Sequence, residues 1–385
     1  MTLTPLETIS ASWAGGPNAV DEAVATAVQR LEGARPQLVL LFTDATQPPD
    51  EVVGRAVRQA GGARVAGMSA LGMMTAQGLR RGGCSAMAFG GEEVVVGVGI
   101  ALEASRDLRG AGAAAAAAAV AGVELSAGHA VVLLFLNPDS GDEGQAIDGA
   151  YEVVGGHIPL AGGGANGAAP VLYADGSGHA DAVVAVALGC GARIEVASAH
   201  GCQPCGVPAL VTRAEGRTVV EIDGRPAESV FLERVGLPDA VLTDKEFEAL
   251  AVLHPLAQPE LRGNVRLRHV RGRAPGGGLE CATLIPSNAA IWLTEQTVPT
   301  IVESAATAAQ AVTHNLDRPA KAALVFDCAA RDRALGDRAA EEADVLVSAF
   351  GCELPVAGLY TRGEVARTRG SKGDLNHAVV VVGFG

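Results

Sequence analysis

Three short apolar runs constrain this chain more than any other feature: "LVLLFTD" (38–44), "VVLLFLN" (131–137) and "ALVFDC" (323–328). Each stays apolar for the length of a strand and then stops at polar residues, the pattern of a strand buried on both faces. Each is followed by a segment with helical spacing: "PDEVVGRAVRQAG", "GDEGQAIDGAYEVVGG" and "GDRAAEEADVLVSAFG". The acids that open these segments suit a helix N-terminus. A glycine-marked strand comes next ("ARVAGMSALG", "HIPLAGGGANG", "ELPVAGLYTRGE"), then a closing strand ("CSAMAF", "DAVVAVAL", "HAVVVVGF"). The order β-α-β-β therefore recurs three times with little identity, and any fold assignment has to respect it.

A long insertion, roughly 205 to 320, separates the second unit from the third. It holds strand-like "GVPALVTRAEGRTVVEIDG" with a hairpin turn at "RAEGR", a helix "PAESVFLERVG", two further strands and the helix "IVESAATAAQAVTH". The expected fold is α/β, with mixed sheets in two lobes built from three β-α-β-β-like repeats and a long insertion before the third. The expected division is 1–205 and 206–385.

Composition narrows the function classes. The 29 basic and 43 acidic residues leave a net charge of −14, which argues against nucleic acid or an anionic membrane as partner. The longest apolar run, "GAGAAAAAAAVAGV" (110–123), is alanine-dominated and too short for a membrane span; it reads as a helix. The N-terminus has no basic residue before Arg30 and no long apolar stretch, unlike a secretory signal. Seven dispersed cysteines then suggest reduced thiols and a cytoplasmic location.

Ligands of α/β sheets bind beyond the carboxyl ends of strands. In the third unit those ends carry Cys328 and Arg331, and the turn after the glycine-marked strand adds Tyr360, Arg362, Glu364, Asn376 and His377. This variety of polar groups between apolar strands suggests a pocket, with Arg331 suited to a carboxylate and to favouring a thiolate at Cys328. The alternative is structural: a buried thiol, an arginine paired with nearby acids and a satisfied core histidine. The pair Cys202-x-x-Cys205 beside His200 lacks a second pair at matching spacing, so no metal site is expected. The run "AGGGANG" lacks the context of a dinucleotide loop.

Read together, "RPQLVLLFTD", "LAGGGANG", "HGCQPCGVPALVTRAEG", "LVFDCAARDRALG", "ELPVAGLYTRGEVA" and "LNHAVVVVGF" resemble the FIST family, an N domain followed by a C domain, over nearly the whole chain. The resemblance implies a sensory, signal-transducing module that binds a small molecule, amino acids or related carboxylates being the expected class, and that passes its signal to a separate signalling protein. It places Cys328, Arg331, Gly363, Glu364 and Asn376 on characteristic positions, whereas Met68 and Met73 depart from the family pattern. No cofactor is expected under this reading. A haem-binding nitric oxide sensor is the alternative, with His200 or His377 as axial ligand; a cysteine-dependent enzyme using Cys328 is another. Triplicated units also occur in ring-opening amidohydrolases that use serine–lysine pairs, but lysine occurs here only at 245, 321 and 372.

Overall fold

The computed structural model describes residues 8–238, 240–260, 265–351, 354–368 and 371–385. The first seven residues, part of the segment read as lacking a secretory signal, lie outside the described residues. In each unit the apolar run and the glycine-marked strand pair in parallel: Pro36–Thr43 with Arg64–Ser69, Ala130–Leu136 with Leu160–Gly164, and Ala322–Cys328 with Val356–Thr361. A crossover helix joins the first two pairs, Pro49–Gln59 and Glu143–Val154; Ala329–Leu335 and Ala339–Phe350 join the third. The closing strands Cys84–Gly90, Ala182–Gly189 and Ala378–Phe384 lie antiparallel on the other side of each apolar run.

Each repeat is longer than its sequence signature. An outer strand and a helix precede every apolar run: Thr8–Ala14 with Ala19–Gln29, Val95–Leu102 with Leu108–Val120, and Ile194–His200 with Val298–Asn315. The insertion falls between the outer strand and the helix of the third unit. It folds into a separate antiparallel sheet with two α-helices among the described residues and its own apolar core around Phe231 and Phe247. The alanine-rich run forms the predicted helix, packed against Glu143–Val154.

The units exchange hairpins. Gly72–Thr75, from the first unit, pairs with Val356–Thr361 of the third; Glu364–Arg367, from the third, pairs with Leu160–Gly164 of the second; Leu172–Ala174, from the second, pairs with Arg64–Ser69 of the first. The exchange closes a ring of three six-stranded sheets. Their inner faces share one core, in which the equivalent residues Phe42, Phe135 and Phe326 meet with ring centroids 6.2 and 6.3 Å apart. Helices cover the outer faces.

Candidate functional site

The carboxyl ends of the parallel strands open toward the inserted lobe, and a cleft of about 320 Å³ lies between the two. Asn166 enters it from the second unit and Leu71 from the first, while Cys328 and Thr361 close adjacent strands of the third. The lobe contributes Glu248, His269 and Arg271.

Of the residues expected here, Cys328, Arg362 and Asn376 line the cleft. Burial, then the neighbouring Glu364 carboxyl, pushes the Cys328 thiol well above its ordinary value. That keeps it protonated, the reverse of the thiolate expected from a nearby arginine. Arg362 pairs with Asp139 at 3.0 Å. Asn376 accepts a hydrogen bond from the His269 backbone N–H through Oδ1 (3.0 Å) and so ties the lobe to the ring.

Glu364 and His377 sit one layer beneath. Glu364 is 1% exposed and accepts hydrogen bonds from Thr361 (3.1 Å) and from the Ala378 N–H (3.3 Å). Burial pushes its carboxyl up to about 8. His377 adopts φ = 55° and is fully buried; its Nε2 meets His269 Nδ1 at 3.0 Å and its Nδ1 meets Gln296 Nε2 at 3.2 Å.

Arg331 and Tyr360 turn the other way, into the helix layer. The guanidinium is 0% exposed and spends its donors on Glu342 Oε1 (3.0 and 2.5 Å), Ser304 Oγ (2.9 Å) and the Ile301 carbonyl (3.1 Å), with Asp327 at 2.9 Å. The expectation that Arg331 anchors a ligand is corrected on this ground: its hydrogen-bonding capacity is used inside the fold. Tyr360 donates to Glu342 Oε2 at 3.3 Å.

Three groups that sequence reasoning did not single out complete the cleft. Arg271, half-buried, makes neither a hydrogen bond nor an ion pair among the described residues. Burial, and then the like charges of Arg217 and Arg362, pull its pKa down. Glu143 opens the helix Glu143–Val154 and presses against two glycines: a Cβ added at Gly363 would lie 2.3 Å from its Oε2, and one at Gly164 2.5 Å from its Oε1. Its Oε1 is sealed from solvent without a partner, and burial pushes the carboxyl up to about 8 despite the pull of Arg271 and Arg362. His269 is the third. Its position in "VRLRHVRG" is two residues before Arg271, in the link between the strands Val265–Arg268 and Val270–Ala274, and only the lobe's docking brings the two to the cleft.

The haem alternative does not fit this geometry. Neither His200 nor His377 lines the cleft, and both ring nitrogens of His377 are already hydrogen-bonded. Among the described residues no group of three or more His, Cys, Asp or Glu side chains is arranged to hold a metal ion, and the six described cysteines form no disulfide. Cys202 and Cys205 hydrogen-bond to Gln296 and to the Leu293 carbonyl where the chain enters the lobe. No helix among the described residues is long and apolar enough to cross a membrane.

Comparison with known proteins gives the family. The FIST N domain profile matches residues 37–225 and the FIST C domain profile matches residues 229–367. The chain belongs to the FIST family, whose domains are associated with small-molecule-binding signal transduction. Uncharacterized proteins of Mycobacterium bovis and Mycobacterium tuberculosis are each 28% identical over 176 residues. These matches span 44% of this chain and 45% of each relative, less than half the length of either. Among solved structures, a cyanuric acid hydrolase from A. caulinodans aligns over 98% of both chains with a TM-score of 0.40 and 12% identity.

Proposed function

We propose that the cleft between ring and lobe is the sensory site, and that it binds a small carboxylate of the amino-acid class. Arg271 and Arg362 take the carboxylate, the Glu143 carboxyl in the cleft wall gives up its proton to solvent as it takes the ammonium, and Asn376 and Cys328 border the bound molecule. The signal then passes to a separate signalling protein.

The observation that carries this reading is Arg271. A half-buried guanidinium with no hydrogen bond or ion pair among the described residues costs free energy that a bound anion would return. Bidentate pairing with a carboxylate suits its planar fork. The protonated state of Cys328 supports binding over nucleophilic chemistry.

Calorimetric titration of the full chain with the twenty amino acids tests the proposal. At least one should bind, and Arg271→Ala should weaken it by tenfold or more, as expected for losing a charge-assisted pair of about 1.5–3 kcal/mol. Unchanged affinity in that variant would remove Arg271 as the anchor and the cleft as the site.

A further inference from the structure

A run of hydrogen bonds leads from the core of the lobe to the cleft, and its polarity follows from the chemistry of its ends. Gln296 Nε2 lies 2.6 Å from the Val252 carbonyl, which only accepts, and Gln296 Oε1 lies 3.2 Å from the Cys202 thiol. The reversed amide would set two oxygens against each other, so the orientation of Gln296 is fixed. Burial pushes the Cys202 thiol up to about 12, which keeps its proton in place for Oε1.

The second N–H of Gln296 faces His377 Nδ1 at 3.2 Å, so that nitrogen accepts. His377 then carries its proton on Nε2 and donates to His269 Nδ1 at 3.0 Å. His269 must hold its own proton on Nε2. That nitrogen has no hydrogen bond among the described residues and is not sealed from solvent, and His269 lines the cleft.

We infer that His269 is a specificity-determining residue, held by Gln296 and His377 as a neutral Nε2–H donor that reads an acceptor oxygen on the ligand. The inference rests on the binding site proposed above and narrows its occupant to carboxylates that carry a second acceptor oxygen. Burial, reinforced by the charges of Arg333 and Arg271, pulls the His269 pKa down to about 3, so the ring stays neutral and the donor is unchanged across the physiological range. A mobile neutral histidine would present either tautomer and discriminate poorly; the fixed relay removes that freedom.

Long-range ¹H–¹⁵N spectra of the labelled chain, assigned with His269→Gln, read the tautomer directly and need no ligand. A neutral Nε2–H form at pH 6–8 is expected, shifting toward a mixture in Gln296→Leu. An Nδ1–H form or an imidazolium in the wild type would overturn the inference by itself. Calorimetry with L-glutamine and L-norleucine, of similar length with and without the acceptor, is the second arm. The wild type should prefer glutamine by about tenfold, and His269→Phe should bring the ratio near one. A ratio that survives His269→Phe also overturns the inference. Absence of binding by either probe counts against the amino-acid reading of the site, while the tautomer spectrum still decides the relay.

Discussion

Glu364 shows how a residue can matter to a site it never touches. It is buried beneath Cys328, with its carboxyl raised from an ordinary 4.5 to about 8 by burial and lowered only in part by hydrogen bonds from Cys328, Thr361 and Ala378. Between those two values the unfolded chain has lost the proton and the folded chain keeps it, so stability falls as pH rises through the window. Glu364→Gln should remove that slope. The unfolding free energy of the wild type relative to the variant, from urea titrations, should fall by up to ~1.4 kcal/mol per pH unit from pH 5 to 8. The histidines drawn down by burial titrate alike in both proteins and cancel. A difference that stays flat with pH would show that the carboxyl is not held protonated. At this scale the sequence was informative where chemistry follows from strand position: Cys328, Arg362 and Asn376 reach the cleft because strand ends and their turns do. It was silent on direction. Arg331 sits four residues after Asp327 on a short helix, and only packing decides that it faces Glu342 and Ser304.

Among the elements, the glycine-marked strands explain why the repeat is so constrained. Gly67, Gly162 and Gly358 pair across the parallel register with Leu41, Leu134 and Val325, the residues just before the three central phenylalanines. A Cβ on Gly67 would lie 1.8 Å from the Leu41 carbonyl oxygen, and one on Gly162 2.0 Å from that of Leu134. Backbone cannot yield as a side chain can, so Gly67→Ala should lower stability by about 3 kcal/mol or more, read as a lower urea midpoint at unchanged m. At Gly358 the nearest atoms are the Cβ carbons of Met74 and Val325, at 2.9 and 3.1 Å, an overlap about an ångström smaller than at Gly67, so alanine should cost less there. Equal losses at both positions would contradict the close-approach account. The parallel pairs and closing strands were legible because burial on both faces writes a continuous apolar run. The outer strands were not, since Thr8–Ala14 and Ile194–His200 are only partly buried and mix small polar with apolar residues. Nor was the hairpin exchange, because pairing between segments up to some hundreds of residues apart leaves no local periodicity.

The whole molecule is a closed ring with one guest. The ring is held by hairpins that each unit lends to a neighbour, so no unit keeps its full sheet alone. The lobe is different: it enters after His200 and leaves before Val298, and the two connections touch, since a Cβ on Gly201 would lie 2.5 Å from the Thr300 carbonyl oxygen. Its ties to the ring are polar. Arg266 and Arg268 each reach Asp374 at 2.8 Å, Asn376 holds the His269 backbone, and Arg217 reaches the Gly141 carbonyl. Removing a well-packed guest with its own core exposes polar groups to water at modest cost, whereas cutting an exchanged hairpin would open a shared one. Replacing residues 203–296 with a short glycine–serine link should therefore leave a ring that unfolds in one cooperative step, with an m value reduced in proportion to the lost surface. The same protein should bind none of the amino acids that the full chain binds, because Arg271 and His269 leave with the lobe. A deletion protein that fails to fold would make the lobe part of the ring's folding unit. One that folds and still binds would place the site within the ring and remove the lobe from recognition.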